Sequence, residues 1–155
     1  VSAALRERGH PHAPLWLEVP VRTSKEAADH LGVAVGQIAK SVIFKRLSIN
    51  GSDERAVLVI TSGDRRVDEK KVAAITGALG RADADFVKAK TGFSIGGVAP
   101  LAHSEPPVTL IDRELLRFEV VWAAAGHPNS VFALQPSQLE ALTGGAPVVD
   151  VVQTA

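Results

Sequence analysis

The sequence predicts an α+β protein: a mixed, largely antiparallel sheet flanked by a few helices. Three observations lead there. Short β-branched segments bounded by turn residues recur along the chain and outnumber the helical ones. The helical segments carry recognisable caps. The two kinds of segment come in clusters, so a strictly alternating βαβ design does not fit.

In chain order, residues Ser2 to Arg8 read as a short N-terminal helix. In TSKEAADHLG, Thr23 stands three residues before Glu26, the spacing at which cap and carboxylate satisfy each other's backbone amides, and Gly32 ends the helix. VGQIAK reads as helix-like and ends on Lys40. Strands follow at SVIFKR (41–46) and AVLVIT (56–61). Their continuous apolar runs, Val42–Ile43–Phe44 and Val57–Leu58–Val59–Ile60, predict burial on both faces. Between them KRLSINGSDERAV predicts a hairpin turning at Asn50–Gly51. DEKKVAAITG predicts a helix from Asp68 to Gly77 with Val72 and Ile75 on one apolar face. ADFV (84–87), VTLID (108–112), FEVVWA (118–123), SVFAL (130–134) and VVDVV (148–152) read as strands. SQLEALTGG predicts a last helix, with Ser137 and Glu140 at capping-box spacing, Leu139 and Leu142 apolar, and Gly144 at its stop. No repeat and no low-complexity linker interrupts this order, which predicts one domain over residues 1–155.

Composition narrows the function. Hydrophobic residues make up 46% of the 155 and charged residues 22%, the balance of a folded domain with a real core. Seventeen Lys and Arg cancel seventeen Asp and Glu, so no global basic field draws in nucleic acid. A local basic rim stays open, from Lys45–Arg46, Arg65–Arg66, Lys70–Lys71 and Lys88–Lys90. With no cysteine, disulfides, thiolate nucleophiles and cysteine-based zinc sites are excluded. Apolar runs such as FEVVWAAAG fall short of the roughly 20 residues that span a bilayer, and no leader pattern opens the chain. The expectation is a cytoplasmic protein.

Candidate chemistry is sparse. The five histidines (His10, His12, His30, His103, His127) show no metal-ligand spacing. His127 lies in a Gly–His–Pro–Asn turn between two strands and reads either as a loop residue or as a site residue. No G-x-S-x-G elbow exists around Ser94 or elsewhere. Lys40 reads either as a cation complementing a helix C-terminus or as a side chain projecting from the end of a buried strand. KTGFSIGGVAP (90–100) is a neutral ribbon with three glycines. It is a wide connection, or a backbone that a ligand approaches closely and whose amides receive an anion or an ester carbonyl.

Taken together, VGQIAKSVIFK, LVITSGDRRVDEKKV and AKTGFSIGGVAPLAH resemble the YbaK/prolyl-tRNA synthetase-associated domain family, the aminoacyl-tRNA editing domains. VTLIDRELL and VWAAAGHPNSVFALQPSQLEALTGG continue the similarity, which covers about residues 20 to 152. The resemblance implies a sheet curled like a barrel. It puts the family's key lysine on Lys40 and its Gly-x-x-x-Pro loop on Gly96, Gly97, Val98, Ala99 and Pro100, so that the ribbon walls a pocket for the aminoacyl end of a tRNA. It also makes His127 and Asn129 pocket residues, as in the alanine-specific branch. Ser41, beside the lysine, stands where that branch carries Asn.

The chemistry so implied is hydrolysis of the ester between amino acid and terminal ribose, most simply on tRNA(Pro) carrying Ala, Cys or another small amino acid. No protein nucleophile is implied. The ribose 2′-hydroxyl helps to activate or position water, Lys40 orients the substrate and the loop amides stabilise negative charge. The implied partners are the acceptor end of an aminoacyl-tRNA and prolyl-tRNA synthetase; no cofactor, metal, membrane or DNA is implied. The alternative is a non-catalytic tRNA- or nucleotide-binding module of the same fold. Lys40 together with the Gly-x-x-x-Pro loop favours the enzyme.

Overall fold

The computed structural model describes residues 2–7, 14–21, 23–47, 55–95 and 97–153. Its elements are α1 (Ser2–Glu7), β1 (Leu15–Trp16), α2 (Ser24–Leu31), β2 (Ile38–Arg46), β3 (Arg55–Ser62), α3 (Glu69–Thr76), β4 (Leu79–Arg81), α4 (Ala84–Thr91), β5 (Val108–Asp112), β6 (Val121–His127), β7 (Ser130–Leu134), α5 (Pro136–Leu142) and β8 (Val148–Val149). Short 3-10 turns occupy Val35–Gln37 and Arg113–Arg117.

The eight strands form one mixed sheet in the order β1-β7-β6-β2-β3-β5-β8, with β4 paired beside β2. β1–β7, β6–β7, β2–β3 and β2–β4 run antiparallel, whereas β2–β6, β3–β5 and β5–β8 run parallel. β3 lies between β2 and β5 and is the most deeply buried strand, and its apolar run explains why. Alternate residues of a strand face opposite sides. Leu58 and Ile60 therefore enter one core with Phe132, Leu134, Ile111 and Leu139, while Val57 and Val59 enter another with Val72, Leu110 and Val151. A third cluster (Val21, Ala27, Ala28, Ile38, Val131) lies under α2.

The predicted burial on both faces holds for β3, but Val42, Ile43 and Phe44 of β2 are only half-buried. Strands 108–112 and 130–134 have the predicted bounds, and Thr23 caps α2 through the Glu26 amide at 3.1 Å, with Gly32 left-handed at φ 70°. The predicted hairpin joins β2 to β3, with Arg46 opposite Arg55; its Asn50–Gly51 turn lies outside the described residues.

Other expectations are corrected. ADFV begins a helix rather than a strand, because Asp83 accepts from the Phe86 amide at 2.8 Å and Gly92 closes the far end at φ 83°. VGQ makes a 3-10 turn and β2 starts at Ile38, so Lys40 is a strand residue and complements no helix end. Ile75 is 50% exposed although Val72 on the same helix is fully buried. α5 starts at Pro136, one residue before Ser137, and its entry is fixed by Gln138 Oε1 accepting from the Gln135 amide at 2.8 Å. β6 begins at Val121, since Asp112 caps the 3-10 turn and delays the strand, and β8 is confined to Val148–Val149.

Candidate active site

A cavity of about 540 Å³ opens where β2 and β6 run parallel. Its floor is small: Ala39 pairs with Ala123, and both line it. Trp122, Val21, Ala27 and Val131 form apolar walls, and Ile95 and Val98 bring the glycine ribbon to its edge.

Lys40 enters from β2, the neighbour of Ser41 in the lining. The start of β2 is held rigidly. The Gly63 amide donates to Ile38 O at 2.8 Å, Ser62 Oγ donates to Gly36 O at 2.6 Å, and Gln37 Nε2 donates to Val120 O at 3.1 Å. Gly36 is required there, since a Cβ would stand 2.8 Å from the Phe118 ring and 2.9 Å from Asp64.

The Lys40 side chain has no hydrogen-bond or ion-pair partner among the described residues, although its backbone pairs with Thr61 in the ladder. Burial pulls its proton affinity below the usual lysine range; the Arg66 guanidinium pushes the same way and Asp64 opposes both. Asp64 is itself committed to Arg117, which donates to it at 2.9 Å. Burial pushes the Asp64 carboxyl up, but bonds from Arg117 and Ser62 and the nearby Arg65 bring it below its ordinary range. Lys40 also borders a second recess of about 360 Å³, shared with Val42, Phe44, Arg66, Val67, Glu69 and Gln153. The lysine thus stands between two cavities.

His127 reaches the mouth through an irregularity. Ala124 pairs with Val131 and His127 with Ser130, leaving Ala125 and Gly126 without partners on β7. Gly126 takes φ 94°, the left-handed region that glycine tolerates, and the bulge re-aims the next side chain. The Asn129 amide donates to His127 Nδ1 at 3.0 Å, so in the neutral ring the proton sits on Nε2. His127 therefore offers an N–H donor from the cavity wall.

The remaining predicted residues sit differently. Gly97 is buried against the His127 backbone, where a Cβ would stand 3.1 Å from its Cα and carbonyl carbon. Val98 lines the cavity; Ala99 and Pro100 are buried behind it. Ala99 O accepts from His103 Nε2 at 2.6 Å. Asn129 ties down the N-terminal segment, its Nδ2 donating to Leu17 O at 3.2 Å. Gly96 lies outside the described residues. Most of the basic pairs do not collect at the mouth: Lys71 bonds Asp150, Lys90 pairs with Glu105, Lys88 caps Gly92 O and Lys45 lies over Phe86, whereas Arg66 shares the second recess with Lys40.

Sequence reasoning missed Trp122, Val131 and Ile95 in the lining, and His103 behind the ribbon. The alternation in VWAAAGH was the available signal for Trp122; the others need the tertiary fold.

The cavity thus combines small and apolar walls with a lysine side chain that has no partner among the described residues and a fixed N–H donor, a set that can receive a polar acyl group. Comparison with known proteins makes that class specific. Residues 18–142 match the aminoacyl-tRNA editing domain model, and the chain belongs to that family. It is 33% identical over 135 residues to the uncharacterised protein YwhH of Bacillus subtilis, covering 86% of this chain and 83% of that protein. It is 25% identical over 125 residues to EbsC of Enterococcus faecalis, named as a proposed Cys-tRNA(Pro)/Cys-tRNA(Cys) deacylase, covering 79% and 73% of the two chains. A crystal structure described as that of a candidate trans-editing enzyme for prolyl-tRNA synthetase superposes with a TM-score of 0.87 at 39% identity, over 99% of this chain and 94% of that one.

Proposed function

We propose that the protein is a trans-editing hydrolase that cleaves the ester of mischarged aminoacyl-tRNA in the cytoplasm, acting on tRNA(Pro) that carries alanine, cysteine or another small amino acid. The observation that carries this reading is Lys40, a half-buried ammonium without a partner among the described residues, on the wall of a cavity edged by the glycine ribbon.

The cavity takes the aminoacyl group, whose ester lies at the mouth. Lys40 and the His127 Nε2–H bind the polar atoms around the ester and fix its orientation. The ribbon's backbone receives the developing oxyanion. Water adds to the carbonyl carbon, the bond to the ribose oxygen breaks, and that oxygen leaves with a proton; the adjacent ribose hydroxyl positions the water. The Ala39–Ala123 floor favours small side chains, although one methylene separates substrates by only about 1–3 kcal/mol.

The test is deacylation of tRNA(Pro) charged with alanine, cysteine, serine or proline, by wild type and Lys40→Ala. Rapid loss of one non-cognate ester, sparing the prolyl ester and reduced about 100-fold or more in Lys40→Ala, is expected if the ammonium holds the ester in its reactive orientation. Absence of turnover on every ester by folded wild type overturns the reading.

A further inference from the structure

We propose that the indole of Trp16 is the platform on which the terminal base of the acylated RNA stacks; this rests on the editing reading above. Trp16 is 69% exposed, more than any other large apolar side chain among the described residues. A side chain of this size normally removes a large apolar area from water, so its display on a hydrogen-bonded strand marks a surface for contact.

The backbone beneath it is well held. β1 is only two residues long, yet Leu15 pairs with Val131 and Trp16 with Ser130. The Leu17 amide donates to Asn129 O at 2.7 Å, Asn129 Nδ2 returns a bond to Leu17 O, and the Val21 amide donates to Pro128 O at 2.8 Å. Across β6, β7 and β1 the register sets His127, Ser130 and Trp16 side by side. His127 and Ser130 line the cavity, and Trp16 stands one strand further out. Its ring centroid lies 5.1 Å from that of His127, tilted by 45°.

That order matches the order of groups in the substrate. The acyl group enters the cavity, the ribose lies at the mouth beside His127, and the base projects outward by about one sugar. There it meets the one face that stacks on any base without reading its identity. The contact adds a hold on the end of the RNA that the charges of Lys25 and Lys40 at the cavity do not supply.

Two measurements test the assignment. In the first, wild type, Trp16→Ala and Trp16→Phe hydrolyse the acylated tRNA. Trp16→Ala is expected to raise KM roughly 5- to 100-fold with kcat little changed, and Trp16→Phe to restore much of the loss. In the second, a deacylated RNA trinucleotide ending in adenosine is titrated against indole fluorescence. Quenching in wild type that disappears in Trp16→Phe, where only Trp122 emits, supports the stack.

An unchanged KM in Trp16→Ala overturns the platform while leaving the hydrolase intact. Quenching without turnover in wild type retains the platform and removes the hydrolase. No quenching, together with Trp16-dependent self-association in sedimentation, shows that a second copy of the chain covers the indole instead and also overturns the proposal.

Discussion

β3 and the β6–β7–β1 end of the same sheet use similar apolar residues to opposite ends. Every residue of β3 from Ala56 to Ser62 is buried, and its side chains feed two cores at once. In β6, Val121 is buried, but Trp122, Ala123 and Ala124 border the cavity, His127 is exposed, and Trp16 is exposed beyond it. One region is closed on both faces and the other is left uncovered where a ligand enters. A sheet can thus keep its rigidity in the strands at its centre and place its chemistry at the strands whose second face stays open. The bulge at Ala125–Gly126 belongs only to the open region, as does the Asn129 bracket.

The widest separation between the regions comes from Leu58→Ala. It empties a fully buried site and is expected to cost about 2–5 kcal/mol of stability in a denaturant titration. Activity per folded molecule should stay near wild type, because Leu58 faces the core and not the cavity. A selective loss of kcat at full stability would erase the distinction.

Gly97→Ala sharpens it from the other side. Its Cβ meets the His127 backbone at 3.1–3.2 Å, and backbone on a hairpin yields little. Overpacking of this kind costs roughly 1–3 kcal/mol, and here it separates the ribbon from the β6–β7 turn. The expected outcome is a loss of activity disproportionate to the fall in melting temperature. Equal losses in both would make Gly97 an ordinary packing residue.

The smallest effect is expected from His103, which lies behind the ribbon with Nδ1 buried and without a partner among the described residues. Burial holds its proton affinity below the ordinary histidine range, against the bond to Ala99 O, which raises it. The unfolded chain therefore takes up the proton first as pH falls. Stability should decline on the acid side of about pH 6.5 and level off once the folded ring is also protonated. His103→Gln keeps a donor for Ala99 O and should flatten that decline in melts run across the range. An unchanged slope would show that other groups produce it.

The legibility of the chain divides along the same line. Features fixed by local chemistry were readable: the Thr23–Glu26 cap, the strand at 108–112, and the two-sided burial of Val57 to Ile60. α4 was misread because Phe86 and Val87 suggest a strand; Asp83 and Gly92, its two caps, lie outside ADFV. Lys40, Ser41, Val98 and His127 were singled out in advance and all border the cavity, but the rest of its apolar wall could not be read. Ile95 and Val131 come from segments far apart in sequence, and Arg66 bears on Lys40 only because Arg65–Arg66 follows the strand that pairs with β2. Trp16 gave no signal, since two residues show no periodicity and β1 exists only through its partner on β7.

The burial of Leu5 and Val151 bears on how short this chain can be made. The family match runs from residue 18 to residue 142, yet Leu5 is 1% exposed in the main core and Val151 is fully buried in the second. Cutting to the matched span would delete both, remove Trp16, and strip β8 from the edge of β5. Each lost core side chain leaves a void worth about 2–5 kcal/mol, a large share of what a domain this size has in reserve. A shortened version would then precipitate or unfold for reasons unrelated to its site, and its inactivity would say nothing about catalysis.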